Sequence, residues 1–259
     1  MNIDYQLLNR NWIKVRNNLV GNHRSCHLPL FANSVDGREN SEFIGSGFLA
    51  SYDGRILGIT CAHVVALLAG RELTTICSVN GNEIKLAGSI ACHEIYDLAV
   101  VDLNGLDVSN IPIINAEGVK LNDCDWMYIE GFPKRHNADF LTDRSVWTPV
   151  GLRLRYLDRL SSRVAGFELP FNPSDSLANS MLEFELSNFT DDDLTNVEKM
   201  FRPRLMSGSP VYVIGSVGAI LREPKAVSPK IVGVFTEHHE KPGIALFVDI
   251  FATIDSVIE

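Results

Sequence analysis

The sequence predicts an all-β fold, a barrel or a sandwich, and three observations carry that expectation. From residue 27 onward the chain is cut into short apolar runs rich in β-branched and aromatic residues, with Gly, Asn and Asp at the breaks. The runs Phe43–Ala50 and Ile56–Thr60 flank Tyr52-Asp53-Gly54-Arg55, the composition of a tight hairpin. A second series of strands begins at Trp126, so two β halves of similar size fit within the 259 residues.

Taken in order, residues 4–20 place Leu7, Leu8, Trp12, Val15 and Leu19 at helical spacing, which predicts an amphipathic helix packed on the body and closed by Gly21. Lys14 and its two neighbouring arginines are too few to favour a membrane-surface helix. His27–Ala32 and the hairpin open the first strand series, and Cys61–Val65 reads as a short helical turn. Thr74–Val79, Glu83–Ala87 and Ala99–Leu103 continue it, with Asn80-Gly81 as a hairpin turn. Residues 111–125 read as a linker and loop. The second series comprises Trp126–Gly131, Val146–Arg153, Val164–Leu169, Met181–Leu186, Val211–Ile214, Ile231–Thr236 and Ile244–Val248. Within it, Thr190-Asp191-Asp192-Asp193 predicts a helix start over 191–200, its acidic side chains at the positive end of the dipole. Phe251–Ile258 predicts a short C-terminal helix.

Composition excludes several classes. Hydrophobic residues at 46% and charged ones at 21% suit a globular protein. A net charge of −9 opposes a nucleic-acid groove, which needs clustered cations facing phosphates. Residues 1–20 hold no apolar core of a secretory signal, and no window reaches the length of a membrane span. The five cysteines, Cys26, Cys61, Cys77, Cys92 and Cys124, are odd in number and lack a CxxC pair. They read as free, mostly core thiols in a reducing compartment, so the expectation is a cytoplasmic protein without a membrane partner.

The chemistry concentrates in Met206-Ser207-Gly208-Ser209-Pro210, a tight turn before a strand. A serine held there presents its hydroxyl outward while neighbouring N–H groups converge, as acyl transfer requires. Upstream lie His63, at the end of a strand and turn, and Asp97, opening Asp97-Leu98-Ala99-Val100-Val101. Serine-mediated amide hydrolysis needs a neutral imidazole as base and a carboxylate to orient it. The order His, Asp, Ser with separations of 34 and 110 positions fits the chymotrypsin-type arrangement. Each residue alone has a plainer reading: a structural histidine, a strand-capping carboxylate, a turn serine. Asp102 competes with Asp97, but its offset along the strand puts it on the opposite face. Cys61 is too close to His63 in sequence to form a Cys–His pair and reads as core.

These blocks resemble the trypsin-like, chymotrypsin-fold serine peptidases. Gly45-Ser46-Gly47-Phe48 followed by Ile59-Thr60-Cys61-Ala62-His63 is similar to the family's glycine-rich strand and Thr-Ala-Ala-His. Tyr96-Asp97-Leu98-Ala99-Val100 resembles the strand of HtrA-like members, and Ser207-Gly208-Ser209-Pro210-Val211 the form in glutamyl (V8-like) endopeptidases. Ile231–Val234 resembles the substrate-lining strand. The resemblance implies two six-stranded antiparallel β-barrels with the site between them. An N-terminal helical extension (1–24) would precede a first barrel (25–118) holding His63 and Asp97. A second barrel (119–259) would hold Ser207 and an enlarged region, 133–200. It also implies an oxyanion hole from the N–H groups of Leu205 and Ser207, a substrate wall near Thr236 and His238, and a protein or peptide substrate. No metal or organic cofactor is implied; adjacent His238 and His239 on a strand face opposite sides.

Two departures stand out. Leu205 occupies the position where the family carries glycine, and its Cβ disfavours the peptide orientation that an oxyanion hole needs. Met206 replaces the aspartate that pairs with a new N-terminus in zymogens, so activation by that ion pair is not expected. The functional expectation is a serine endopeptidase, regulated through 133–200 or cutting one specific partner, in a defence or stress role. The alternative is a catalytically silent binding module of the same fold.

Overall fold

The computed structural model describes residues 7, 10–15, 17–18, 26–33, 41–76, 83–86, 88–103, 113–114, 121, 126–133, 150–157, 179–184, 206–239 and 244–258. The expected Asn80-Gly81 turn, the strand at 164–169, the helix at 191–200 and Leu205 lie outside them, as does most of 133–200.

Two antiparallel sheets make up the described chain. The first contains β1 (His27–Asn33), β2 (Glu42–Tyr52), β3 (Arg55–Thr60), β4 (Glu72–Ile76), β5 (Glu83–Lys85), β6 (Ile90–His93) and β7 (Leu98–Asp102). Its strand order is β5-β4-β1-β2-β3-β7-β6. The β2–β3 hairpin forms as expected: Tyr52 pairs with Arg55, and Asp53 and Gly54 take φ of 47° and 73°, the left-handed pair of a two-residue turn matched to strand twist. The first sheet has seven strands, and among the described residues it is not closed, where a six-stranded barrel was expected; β6 carried no clear alternation in sequence. Its outer strands are successive parts of one segment. The Leu86 N–H still bonds the Leu73 carbonyl beside β4 (3.0 Å), and by Ile90 the chain has crossed to β7.

The second sheet contains β8 (Trp126–Gly131), β9 (Val150–Leu157), β10 (Asn179–Phe184), β11 (Pro210–Gly215), β12 (Lys230–His239) and β13 (Ile244–Asp249). These pair in the closed order β10-β13-β12-β11-β8-β9. A ring of paired strands leaves no backbone edge exposed. A helix at Val217–Arg222, capped by the Ser216 hydroxyl, was not expected; its apolar positions are too few to show a period. The C-terminal helix is two short pieces, Ile250–Thr253 and Asp255–Ile258. Residues 10–15 are helical, with Trp12 and Val15 buried as their spacing predicted; Asn11 is buried beside them, whereas Leu7, expected on the same face, is exposed. No helix among the described residues is long and apolar enough to cross a membrane.

One core cluster joins the sheets, running from Phe48, Leu57 and Ile59 to Tyr128, Tyr212 and Val234. Within it His27 of β1 touches both β8 and β11. Its Nδ1 lies 2.9 Å from Glu130 Oε2 and its Nε2 2.8 Å from the Tyr212 hydroxyl, all almost fully buried. The Tyr212 hydroxyl is a hydrogen-bond partner for this enclosed ring across the sheets, whereas Nδ1 and Glu130 Oε2 are close without hydrogen-bond geometry. A second cluster is formed by Met127, Ile129, Met206, Val211, Val232, Phe235 and Phe247.

The Tyr52 hydroxyl donates to Asp255 Oδ1 at 2.6 Å, tying β2 to the C-terminal helix. That hydrogen bond, with burial and the charge of Asp255, pushes the phenol up to about 12. A phenol raised above its unfolded value favours the folded state below pH ~10, and this contribution is lost as pH rises through the folded value. Wild type is therefore expected to lose stability between pH ~10 and ~12 relative to Tyr52→Phe, by no more than about 1 kcal/mol because the pair is solvent-exposed. Urea unfolding across that range checks it.

Candidate active site

Asp97 does not open β7 as the sequence suggested; it ends the preceding turn. Its N–H bonds the Glu94 carbonyl at 3.2 Å and its φ is 53°, a conformation that aspartate tolerates better than most residues. That placement turns the carboxylate onto the start of the Ala62–Ala66 helix. Oδ1 accepts the His63 backbone N–H at 2.9 Å, Oδ2 lies 2.7 Å from His63 Nδ1, and the Asp97 carbonyl accepts the Ala62 N–H at 3.2 Å. One residue thus satisfies two otherwise orphaned helix-start donors and fixes the imidazole. With Nδ1–H given to the carboxylate, a neutral ring keeps a lone pair on Nε2. The His63 side chain is 49% exposed, so the ring can be reached from solvent. Asp102 ends β7 and pairs with Arg55 at 2.6 Å, away from His63.

Ser207 sits in the turn before β11, held from both sheets. The Ser46 N–H of β2 donates to the Ser207 carbonyl at 3.0 Å. On the other side the Gly208 N–H donates to the Phe235 carbonyl of β12 at 2.8 Å, and the Phe235 N–H returns to the Ser209 carbonyl at 2.9 Å. Ser209 is structural: its hydroxyl donates to the Met206 carbonyl at 2.5 Å. Met206 plugs the second core cluster, fully buried, so a side chain that is a charged anchor in the resembled family is here an apolar one.

The Ser207 hydroxyl donates to the Thr236 carbonyl at 2.8 Å. β12 shifts register between Phe235 and Glu237 against β13, leaving Thr236 as the bulged residue. A bulge takes a carbonyl out of the ladder and re-aims it, here onto the serine. The Thr236 side chain is buried, so its backbone is what meets Ser207. His238 belongs to β12 by its backbone; Leu205 lies outside the described residues.

Gly208 has φ +91°, and a Cβ there would fall 2.0 Å from the Ser46 carbonyl oxygen and 2.2 Å from Thr60 Oγ1. The glycine-rich strand and the serine turn are thus one packed unit. Gly208→Ala is expected to cost about 2–5 kcal/mol, combining the left-handed penalty with overpacking against backbone. It is also expected to displace Ser207. Urea unfolding measures the first effect, and the reactivity of Ser207 the second.

Sequence reasoning missed Cys61 as part of this neighbourhood. Fully buried, it donates its thiol to the Phe235 carbonyl at 3.3 Å, the same oxygen that receives Gly208. Burial, then the charge of Asp97, pushes that thiol well up from its ordinary value. Ligand atoms of Cys61, His63 and Asp97 all lie within 4.8 Å of one another. The Cys-Ala-His spacing was the available signal; the contact depends on β12, which sequence proximity could not reveal.

The fold is that of serine proteases, as comparison with solved structures shows. No protein-family model matches the chain, and no curated protein sequence is similar to it. The Rv3671c protease of M. tuberculosis, in its active form, superposes with a TM-score of 0.54 at 12% identity, covering 94% of this chain and 86% of that one. The serine endoprotease of Yersinia pestis gives 0.54 at 14% identity, covering 100% of this chain and 66% of that one. An inactive serine-to-alanine form of Rv3671c gives 0.52 at 13%, covering 94% and 92%.

Proposed function

We propose that the chain is a serine endopeptidase in which Ser207 is the nucleophile, His63 the general base and acid, and Asp97 the group that orients His63. The observation that carries this reading is the 2.7 Å contact of Asp97 Oδ2 with His63 Nδ1 in a serine-protease fold, with a serine turn clamped to both sheets. For reaction, the Ser207 hydroxyl leaves the Thr236 carbonyl by rotation about χ1 and donates to His63 Nε2. The oxygen then attacks a peptide carbonyl. His63 passes the proton to the leaving amine, and water hydrolyses the acyl-enzyme by the same route. The oxyanion is received by the N–H groups of Ser207 and Leu205. In support, the Ser207 N–H donates to none of the described residues, whereas the Gly208 N–H is already committed to Phe235. The two barrels would divide at about residue 118, and segment 133–200 would dock a regulatory or substrate protein.

One observation favours a second reading, a binding module without turnover: the serine hydroxyl is bonded to Thr236 rather than to His63. Incubation with a denatured proteome, followed by mapping of new N-termini, separates the readings. Cleavages absent with Ser207→Ala support the peptidase. Cleavage of one co-expressed protein alone narrows it to a processing enzyme, and no cleavage in either sample supports the module.

A further inference from the structure

We propose that Cys61, His63 and Asp97 form an inhibitory site for a soft divalent cation, and that Zn2+ is the ion it fits. Their ligand atoms lie within 4.8 Å of one another and supply sulfur, nitrogen and oxygen, the donor types that zinc takes. Tetrahedral bonds of about 2.0–2.3 Å separate donors by about 3.3–3.8 Å. The His63–Asp97 contact, now 2.7 Å, would open by about 0.6 Å, and the sulfur would close by at most about 1.3 Å.

Charge argues in the same direction. Cys61 is fully buried, and a thiolate beside the Asp97 carboxylate would place two negative charges together. Both costs reverse when a dication occupies the point between them: thiolate, carboxylate and M2+ sum to zero, with imidazole neutral. The open side at half-exposed His63 gives the ion its entry path and leaves a fourth position to water.

On binding, the Cys61 S–H bond breaks, its proton goes to solvent and a metal–sulfur bond forms. The Nδ1 proton relocates to Nε2 as the ring changes tautomer, and Nδ1 binds the metal; nothing is oxidised or reduced. His63 Nε2 then carries a hydrogen and no longer accepts one from Ser207. Binding rests on the cluster geometry alone, whereas inhibition rests on the peptidase reading.

The test titrates the metal-free full chain with Cd2+, a spectroscopic stand-in, and with Zn2+. One equivalent should bind with an ultraviolet thiolate-to-metal charge-transfer band. Cys61→Ala should abolish the band, His63→Ala and Asp97→Asn should each weaken binding by at least about tenfold, and Cys92→Ser should change neither. A band that survives Cys61→Ala or vanishes in Cys92→Ser, or the absence of saturable binding, overturns the site. Zn2+ should also slow labelling by a serine-directed fluorophosphonate in wild type, and not in Cys61→Ala, each measured against its own zinc-free rate. Unchanged labelling of the zinc-bound wild type overturns the inhibitory role. Cys61-dependent binding in a protein that is never labelled refutes the peptidase and retains the site. Labelling without such binding does the reverse.

Discussion

Ser207→Ala is expected to lower peptide hydrolysis by about a millionfold, the scale seen when a serine nucleophile is removed. Its effect on folding should be small by comparison. The hydroxyl donates one hydrogen bond, to the Thr236 carbonyl, and loss of such a bond costs about 1 kcal/mol. The turn itself survives because backbone groups hold it: Ser46 to the Ser207 carbonyl, Gly208 to Phe235, Phe235 to Ser209. The variant should therefore be folded and inert, so activity and urea unfolding measured on the same preparation decide the matter. Residual hydrolysis within tenfold of wild type would move the nucleophile elsewhere.

Asp97→Asn is expected to lower kcat by about ten-thousandfold while leaving the fold in place. The physical reason lies in two bonds. The side chain accepts the His63 backbone N–H through Oδ1 and meets Nδ1 through Oδ2. An amide can satisfy the first with its oxygen, but its nitrogen then donates to Nδ1. That selects the tautomer with hydrogen on Nε2, the wrong atom to receive a proton from Ser207. Position 97 also needs a left-handed backbone, which asparagine adopts as readily as aspartate, so stability should change little. Alanine there is a poorer probe, because it strains the turn as well as removing the carboxylate.

Much of the architecture was legible because strand signals are local. The β2–β3 hairpin follows from Asp53-Gly54, Trp126–Gly131 from its apolar run, and the buried face of residues 10–15 from helical spacing. What escaped was set by tertiary context. β6 is short and only partly buried, so its pattern is weak, and the Val217–Arg222 helix is held partly by Asn11, whose amide donates to the Ile220 carbonyl at 3.0 Å. At the site, side-chain identities pointed to His63, Asp97 and Ser207, but not to the carbonyls around them. Phe235 and Thr236 act through backbone oxygens, and a bulge aims one of them. Side-chain chemistry carries no trace of that. Met206 shows the converse: the sequence marked it as a missing aspartate, and packing shows it anchoring the turn in the second core cluster.

The most direct measurement is the site and rate of covalent labelling by a fluorophosphonate, mapped by mass spectrometry in wild type and His63→Ala. A single adduct on Ser207 is expected, almost absent in His63→Ala. An adduct on another residue, or labelling of Ser207 at the same rate with and without the imidazole, would contradict it.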